Sequence, residues 1–261
     1  MPRMQPTVKG ATVVRAPAKL TTELRIVGVR ADGYHLIDAE MIDLDLADVV
    51  ELTTISPEQA APDETVGFTV SGPFADGVPA DSTNLVARAL RLAGRSASVH
   101  IDKQIPHGGG LGGGSSDVAA VLRWAGFTDL IAASRLGADI PFCMVGGRAR
   151  VTGIGEFVAA LPTRPAVYTI VVPPFGVSTP AVYRAWDDMG GPSGDNGNDL
   201  EPAAVVVEPL LATWKLAIAH HAGVEPRLAG SGATWFLDGA FDRLAEQLPD
   251  AYVRVVNALQ S

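Results

Sequence analysis

The sequence predicts an α+β fold, in which strands and helices are mixed along the chain without the strict alternation a doubly wound parallel sheet requires. Three observations carry that prediction. Short apolar segments repeat every two residues, the period of a half-buried strand, and are bounded by Gly, Pro or Asp. Two longer segments repeat every three to four residues and end on glycine. Hydrophobic residues make up 47% of the 261, enough for a packed core and too many for a disordered chain.

The first strand is expected over residues 20–26, where Leu20, Thr22, Leu24 and Ile26 alternate with Thr21, Glu23 and Arg25. Ile42, Leu44 and Leu46 against Asp43 and Asp45 repeat the pattern, and a third strand is expected at 66–70. A helix over 82–93 puts Leu85, Val86, Ala89, Leu90 and Leu92 on one broad face, with Gly94 to stop it. A strand at 97–101 then leads to a glycine run and a second helix. In that helix Ser115 or Ser116 serves as N-cap, Val118, Val121, Leu122 and Ala125 form the stripe, and Gly126 marks the far end. Further helices are expected at 128–136, 180–188, 203–221 and 241–248, and further strands at 148–152, 167–172 and 234–237. Two prolines three apart, Pro162 and Pro165, suit neither a helix interior nor a central strand, so 161–165 reads as a linker. The boundary there divides the chain into domains 1–161 and 162–261. The aperiodic stretch 190–198, built of Gly, Pro, Ser, Asp and Asn, reads as an exposed loop.

Twenty Lys and Arg against 29 Asp and Glu give a formal charge of -9, with no basic cluster, which argues against nucleic acid or an anionic membrane as partner. A single cysteine, Cys143, excludes an internal disulfide and a zinc–thiolate cage. Residues 1–10 hold no apolar stretch of signal-peptide length, and no eighteen apolar residues run together. The expectation is a soluble protein that is not exported, and its single cysteine fits a reducing cytoplasm.

The strongest chemical signal is His107-Gly108-Gly109-Gly110-Leu111-Gly112-Gly113-Gly114-Ser115-Ser116, directly before the amphipathic helix. Glycine there costs conformational entropy, so some function must recover it. Without Cβ atoms the backbone can fold its N–H groups into a concave nest, and the helix start adds unpaired N–H groups and the positive end of its dipole. A phosphate chain is the natural guest; a flexible linker is the alternative, but it has no need to end in a capped helix. A Walker loop is excluded because none of the four lysines follows a glycine. Gly108, Gly110 and Gly113 satisfy G-x-G-x-x-G, yet Pro106 interrupts the strand a dinucleotide fold would run into the first glycine. No HRD or DFG triplet of a protein kinase exists in the chain.

Three strings resemble, in order, the motifs of the GHMP small-molecule kinases: Pro17-Ala18-Lys19, the glycine run, and Gly230-Ser231-Gly232. Ala31-Asp32-Gly33-Tyr34-His35, residues 136–142 and Asn198-Asp199-Leu200-Glu201 are similar to signatures of the branch that phosphorylates 4-diphosphocytidyl-2-C-methyl-D-erythritol. The resemblance runs from about Val14 to Leu237. It implies a two-domain α+β structure, ribosomal-protein-S5-like at the N-terminus and ferredoxin-like at the C-terminus. It also implies ATP in the glycine loop (Pro106 and Gly108 to Ser116), Mg2+ on the phosphates, and a cytidine-diphosphate-linked polyol between the domains. Another alcohol as acceptor, or a nucleotide-binding relative that has lost turnover, are the competing functions.

Phosphoryl transfer to an alcohol needs a carboxylate beside the hydroxyl to orient it and accept its proton, and Asp139 is the candidate base. On the residues alone a turn aspartate before Pro141 fits as well; the resemblance decides for the base. Its apolar neighbours suggest partial burial, which calls for a cationic partner, and Lys19 is the candidate. Tyr34 and His35 follow an Asp-Gly turn and offer a ring face and an imidazole edge to a cytosine. The resemblance puts Thr179 and Tyr183 at the second wall of that base site, against core packing of Tyr183 as the alternative. Gly230-Ser231-Gly232 precedes an apolar strand and is expected to let backbone N–H groups approach the substrate's phosphates or to close the cleft, against a simple turn. Ser115 and Ser116 could reach a phosphate or the magnesium shell, and Asp117 has no clear role. One departure stands out. The family carries asparagine two residues after the motif lysine, whereas this chain has Thr21, whose shorter hydroxyl reaches less far toward the acceptor.

Overall fold

The computed structural model describes residues 10–55 and 67–260. Along the chain it forms β1 (Ala11–Val29), β2 (His35–Thr54), β3 (Phe68–Ser71), α1 (Leu85–Leu92), β4 (Ala97–Asp102), α2 (Gly113–Trp124), α3 (Leu130–Ser134) and α4 (Ile140–Val145). There follow β5 (Arg148–Gly153), β6 (Phe157–Leu161), β7 (Val167–Val172), α5 (Thr179–Asp188), α6 (Glu201–Val207), α7 (Leu210–Ala222), β8 (Arg227–Leu228), β9 (Trp235–Asp238), α8 (Leu244–Gln247) and β10 (Tyr252–Asn257). The α+β prediction holds. One sheet runs β3-β4-β2-β5-β6 with β1 paired to β2; the other runs β10-β7-β9-β8. β3 and β4 pair in parallel, while the other strand pairs among the described residues are antiparallel; a single parallel bridge also joins Leu24 to Asn198.

β1 and β2 form one long antiparallel hairpin that the two-residue alternation only sampled. Its register shifts at Pro17/Lys19, Thr21/Glu23 and Ile26/Gly28. Pro17 has no N–H to give the ladder, so a bulge beside it is expected. Past the bulge, Ala18, Lys19, Leu20 and Thr21 are all buried. A strand covered on both faces loses the polar–apolar alternation of a half-buried one. The covering layers are α2, which packs on β1 and β2, and the second sheet, whose Ile170, Val172 and Phe236 share a core with Ala18, Leu20, Ile42 and Leu44.

Several expected elements are corrected. α1 starts at Leu85, three residues later than expected, because Asn84 is its cap: the Asn84 side-chain Oδ1 accepts the Val86 N–H at 2.8 Å. α2 is capped by Gly112 at φ 72°, and neither Ser115 nor Ser116 caps it, because the left-handed glycine lets the helix begin at Gly113, ahead of both serines. The helix expected at 203–221 is two, bent by 119°; Pro209 removes a donor and holds Glu208 extended. The helices expected at 128–136 and 241–248 shrink to α3 and α8. Asp129 caps the first by accepting Ala132 N–H, and Phe241 is diverted by donating its N–H to the Thr169 hydroxyl. Of the strand expected at 66–70, Val66 lies outside the described residues. β6, β8 and β10 were not expected; each is short and lacks a clear alternation.

The stretch 190–198 is not the free surface loop its composition suggests. Gly194 and Asn198 are buried, Trp186 Nε1 donates to the Pro192 carbonyl, and Leu24 N–H donates to the Gly197 carbonyl. The bonds to β1 are made by the carbonyls of Gly194 and Gly197, which accept from the Arg25 side chain and the Leu24 N–H. Among the described residues no single helix is long and apolar enough to cross a membrane.

Candidate active site

A cavity of about 900 Å³ opens between the β1–β2 hairpin, the start of α2, the segment before α4, and α5 with the 229–231 turn. Of the residues expected to carry function, Lys19, Thr21, Tyr34, His35, Gly110, Ser115, Asp139, Thr179, Tyr183, Gly230 and Ser231 all line it. They come from places up to about two hundred residues apart in the chain, so only the fold brings them together.

The glycine run borders the cavity through Gly110, with Ser115 just beyond it; Gly108, Gly109, Leu111, Gly112, Gly113 and Gly114 do not line it. Leu111 is buried in the core, and its carbonyl accepts the Lys19 N–H at 2.9 Å. The Gly109 carbonyl accepts both the Thr234 N–H and the Thr234 hydroxyl, and a Cβ at Gly109 would fall 2.9 Å from that hydroxyl oxygen and from Val172. At Gly110, φ is 79° and a Cβ would lie 2.7 Å from the Gly232 carbonyl oxygen. At Gly112 a Cβ would lie 2.7 Å from Lys19 Cγ. Glycine is therefore demanded three times over, and Lys19 packs directly on the loop. Gly108 and Gly114 are exposed and Gly113 half-buried, and the amides of Gly113, Gly114 and Ser115, in the first turn of α2, have no intrahelical carbonyl to bond. Pro106 is buried behind the loop and does not line the cavity. Ser116 is buried too, and its hydroxyl donates to the Pro17 carbonyl, so it ties α2 to β1 and is not offered to a phosphate.

Lys19 Nζ stands 3.1 Å from Asp139 Oδ2 and donates to Thr21 Oγ1, also at 3.1 Å. Lys19 is buried, whereas the Asp139 side chain is 31% exposed, which leaves one face of the carboxylate open to the cavity. Asp139 immediately precedes α4 without capping it. Its carboxylate is thus free for Lys19.

At the far end, Tyr34 is exposed on the hairpin turn and His35 is enclosed. The His35 ring lies 4.8 Å from that of Tyr183 and 5.5 Å from that of Trp186, and its Nε2 is 2.8 Å from Asp187 Oδ1. Tyr183 therefore packs on His35, and its hydroxyl is pushed up to about 12 by burial and by the Asp139 charge. Thr179 and Ser231 hydroxyls are 2.7 Å apart and close the opposite wall. The turn carrying Gly230 is braced by Asn198, whose Nδ2 donates to the Leu228 and Gly230 carbonyls. Asp199 accepts the Ile26 N–H and pairs with Arg25 at 2.8 Å. Arg135, Arg184 and Asp187 also line the cavity and were missed. Surface charges on short helices carry no sequence signal that separates them from ordinary solvated residues.

Asp117 belongs to a buried cluster beneath the loop. Lys103 Nζ donates to Asp48 Oδ2 and, at 2.6 Å, to Asp117 Oδ2. Burial and the facing Asp48 charge raise the Asp117 carboxyl well above its usual range. Burial by itself would lower the Lys103 ammonium, but Asp117 and Asp48 hold it above its ordinary value. The sequence did offer a hint, since Lys103 is one of four lysines and stands between a strand and the glycine run.

Residues 83–147 match the model of the GHMP kinases N terminal domain. The 4-diphosphocytidyl-2-C-methyl-D-erythritol kinase of Paracoccus denitrificans (strain Pd 1222) is 39% identical over 254 residues, covering 88% of this chain and 87% of its own length. The protein of the same name from Paramagnetospirillum magneticum (strain ATCC 700264 / AMB-1) is 34% identical over 257 residues, covering 85% and 87%. A crystal structure of 4-(cytidine 5'-diphospho)-2C-methyl-D-erythritol kinase superposes with a TM-score of 0.72 at 26% identity, over 95% of this chain and 100% of that one. A crystal structure of L. major mevalonate kinase in complex with R-mevalonate shares the fold at a TM-score of 0.63 and 14% identity, over 99% of each chain.

Proposed function

The chain belongs to the 4-diphosphocytidyl-2-C-methyl-D-erythritol kinases of the GHMP superfamily, and from that membership we propose how its cleft works. It transfers the γ-phosphoryl group of ATP to the C2 hydroxyl of 4-diphosphocytidyl-2-C-methyl-D-erythritol, a step of non-mevalonate isoprenoid synthesis. The observation that carries the reading is the Lys19–Asp139 pair at 3.1 Å, in one cavity with Gly110 and Ser115 of the glycine loop.

The first-turn amides of α2, unpaired within the helix, and its dipole would take the triphosphate. The residues fit that guest, because the backbone at Gly110 and Gly112 comes closer to its neighbours than any side chain allows. Lys19 has three N–H donors; Asp139 and Thr21 take two, and the third is left for the acceptor oxygen or the γ-phosphate. As the acceptor oxygen forms its bond to γ-phosphorus, Asp139 accepts the hydroxyl proton. The bond from γ-phosphorus to the bridging oxygen breaks, and ADP leaves with the electron pair. Because the transition state is loose, Asp139 contributes by holding the hydroxyl in line as well as by accepting its proton.

Among the described residues no group of three His, Cys, Asp or Glu side chains could hold a metal ion. Magnesium would be carried on the nucleotide's phosphates, with the Ser115 hydroxyl as the protein oxygen at hand, and would supply charge neutralisation there. The exposed Tyr34 ring offers a face for the cytosine, beside His35 backed by Tyr183; Arg135 and Arg184 stand where a diphosphate would gain from positive charge. We take 1–161 and 162–261 as the two domains, since β6 and β7 belong to different sheets, although both sheets contribute to shared core clusters. A cytoplasmic location fits two water-soluble substrates.

The test is ADP release by purified protein with ATP, Mg2+ and the diphosphocytidyl acceptor, set against mevalonate, homoserine and a simple sugar alcohol. Turnover with the first acceptor alone, inhibited by cytidine, is expected. No release above ATPase background in protein that binds ATP would overturn the reading.

A further inference from the structure

Beneath the glycine loop lies a charged cluster that touches no substrate in the reading above, yet every bond it makes leads to the loop. Asp48, Lys103 and Asp117 are each less than 10% exposed, at 0%, 3% and 4%. Charges so deep in a protein cost stability unless strongly paired, and replacing them by apolar residues is often neutral or better for stability alone. Their connections are directional. Asp48, on β2, accepts the N–H groups of Gln104 and Ile105 through Oδ1, at 2.6 and 2.8 Å, and so holds the segment that enters the glycine run. Lys103 opens that same segment and reaches across to Asp117 in the second turn of α2, the helix by which the chain leaves the run. A Cβ on Gly113, the first residue of α2, would lie 3.3 Å from Asp48 Oδ2 and from the Ile105 side chain. The cluster thus lies against the start of α2, with Asp48 bonded to the segment that enters the loop and Asp117 tied to Lys103 from the helix that leaves it.

We propose that Lys103, clamped between Asp48 and Asp117, is a positioning residue for phosphoryl transfer: it cross-links the entry and exit of the glycine loop and so fixes where the α2 amides stand. The proposal rests on the glycine loop being the nucleotide site. A loop of six glycines has little stiffness of its own, and a phosphate nest works only if its N–H groups are held in place before the ligand arrives. The hydrogen bonds of Lys103 supply that stiffness from below, without entering the cavity.

The test compares Lys103→Met and Asp117→Ala, which break the cross-link, with Asp117→Asn, which keeps an oxygen for Lys103 to donate to. For the first two, KM for ATP rises tenfold or more while KM for the acceptor stays within twofold, and Asp117→Asn returns KM for ATP to within about threefold of the unaltered enzyme. Should Lys103→Met fail to fold, Asp117→Ala carries the test, because it leaves Lys103 paired with Asp48. Variants that lose thermal stability but keep both KM values and kcat would make the cluster merely structural and sink the proposal. A Gly110→Ala enzyme is run alongside: if it binds ATP normally, the underlying nucleotide-site reading has failed, which is a separate result.

Discussion

Replacing Gly110 by alanine puts a number on the claim that the glycine run is a phosphate cradle. Two costs follow from its geometry. The backbone has φ 79°, in the left-handed region that costs an L-residue about 1–2 kcal/mol. The new Cβ would lie 2.7 Å from the Gly232 carbonyl oxygen and 3.4 Å from that of Ala229, both backbone atoms that no rotamer change can move aside. Relieving such an overlap in a packed site adds about 1–3 kcal/mol. The total is about 2–5 kcal/mol, divided between lower stability and displacement of the loop from the geometry that receives ATP. If even 2 kcal/mol falls on binding, ATP affinity drops by more than tenfold. Calorimetric titration with a non-hydrolysable ATP analogue measures that part, and thermal unfolding measures the rest. Gly94→Ala is the control: its φ is 61°, but nothing lies within 4 Å of the new Cβ, and it sits past the end of α1. It pays the backbone term alone, so stability falls by about 1–2 kcal/mol with ATP affinity unchanged. A folded Gly110→Ala protein that binds the analogue within twofold of the unaltered chain would refute the cradle.

Three further outcomes are expected. Asp139→Asn should lower kcat roughly 10²- to 10⁴-fold while ATP affinity stays within about threefold, read by steady-state kinetics and nucleotide titration; a rate within twofold would remove Asp139 as the base. Tyr34→Ala should raise KM for the cytidine-bearing acceptor about tenfold and leave KM for ATP alone, as expected for loss of a stacking face, and an unchanged acceptor KM would place the base elsewhere. Asp43 is buried and pushed up to about 6 by desolvation, although its Oδ2 accepts the Gly147 N–H at 2.8 Å. A carboxyl whose folded value lies above its unfolded value favours folding fully below about pH 4, and that contribution is lost as pH rises through 6. Asp43→Asn, which still offers an oxygen to Gly147, should therefore flatten the stability profile between pH 4 and 6.5 and add on the order of 3 kcal/mol at pH 7; an unchanged profile in urea titrations would show that the carboxyl is not desolvated.

What was legible in the sequence was what local chemistry specifies. The α1 and α2 stripes are carried by apolar spacing, and the glycine run announces itself because backbone freedom is used for little other than close approach. Elements whose form depends on neighbours were harder to read. The hairpin's buried stretch around Lys19 lost its alternation because layers cover both of its faces, and the 190–198 stretch looked free because its polar atoms bond to β1, a partner far off in the chain.

The sequence by itself determined the chemistry available: a lysine, an aspartate, six glycines before a helix, and aromatic rings on a turn. Tertiary structure decided which of these meet. Lys19 and Asp139 are 120 positions apart, and their 3.1 Å contact exists because the Pro17 bulge, the Lys19 N–H bond to Leu111 and the free start of α4 converge on one wall of the cavity. Lys103 and Asp117 acquired a purpose in the same way, since a charge has meaning only with respect to its distance from other charges and from water, and that distance is set by the fold.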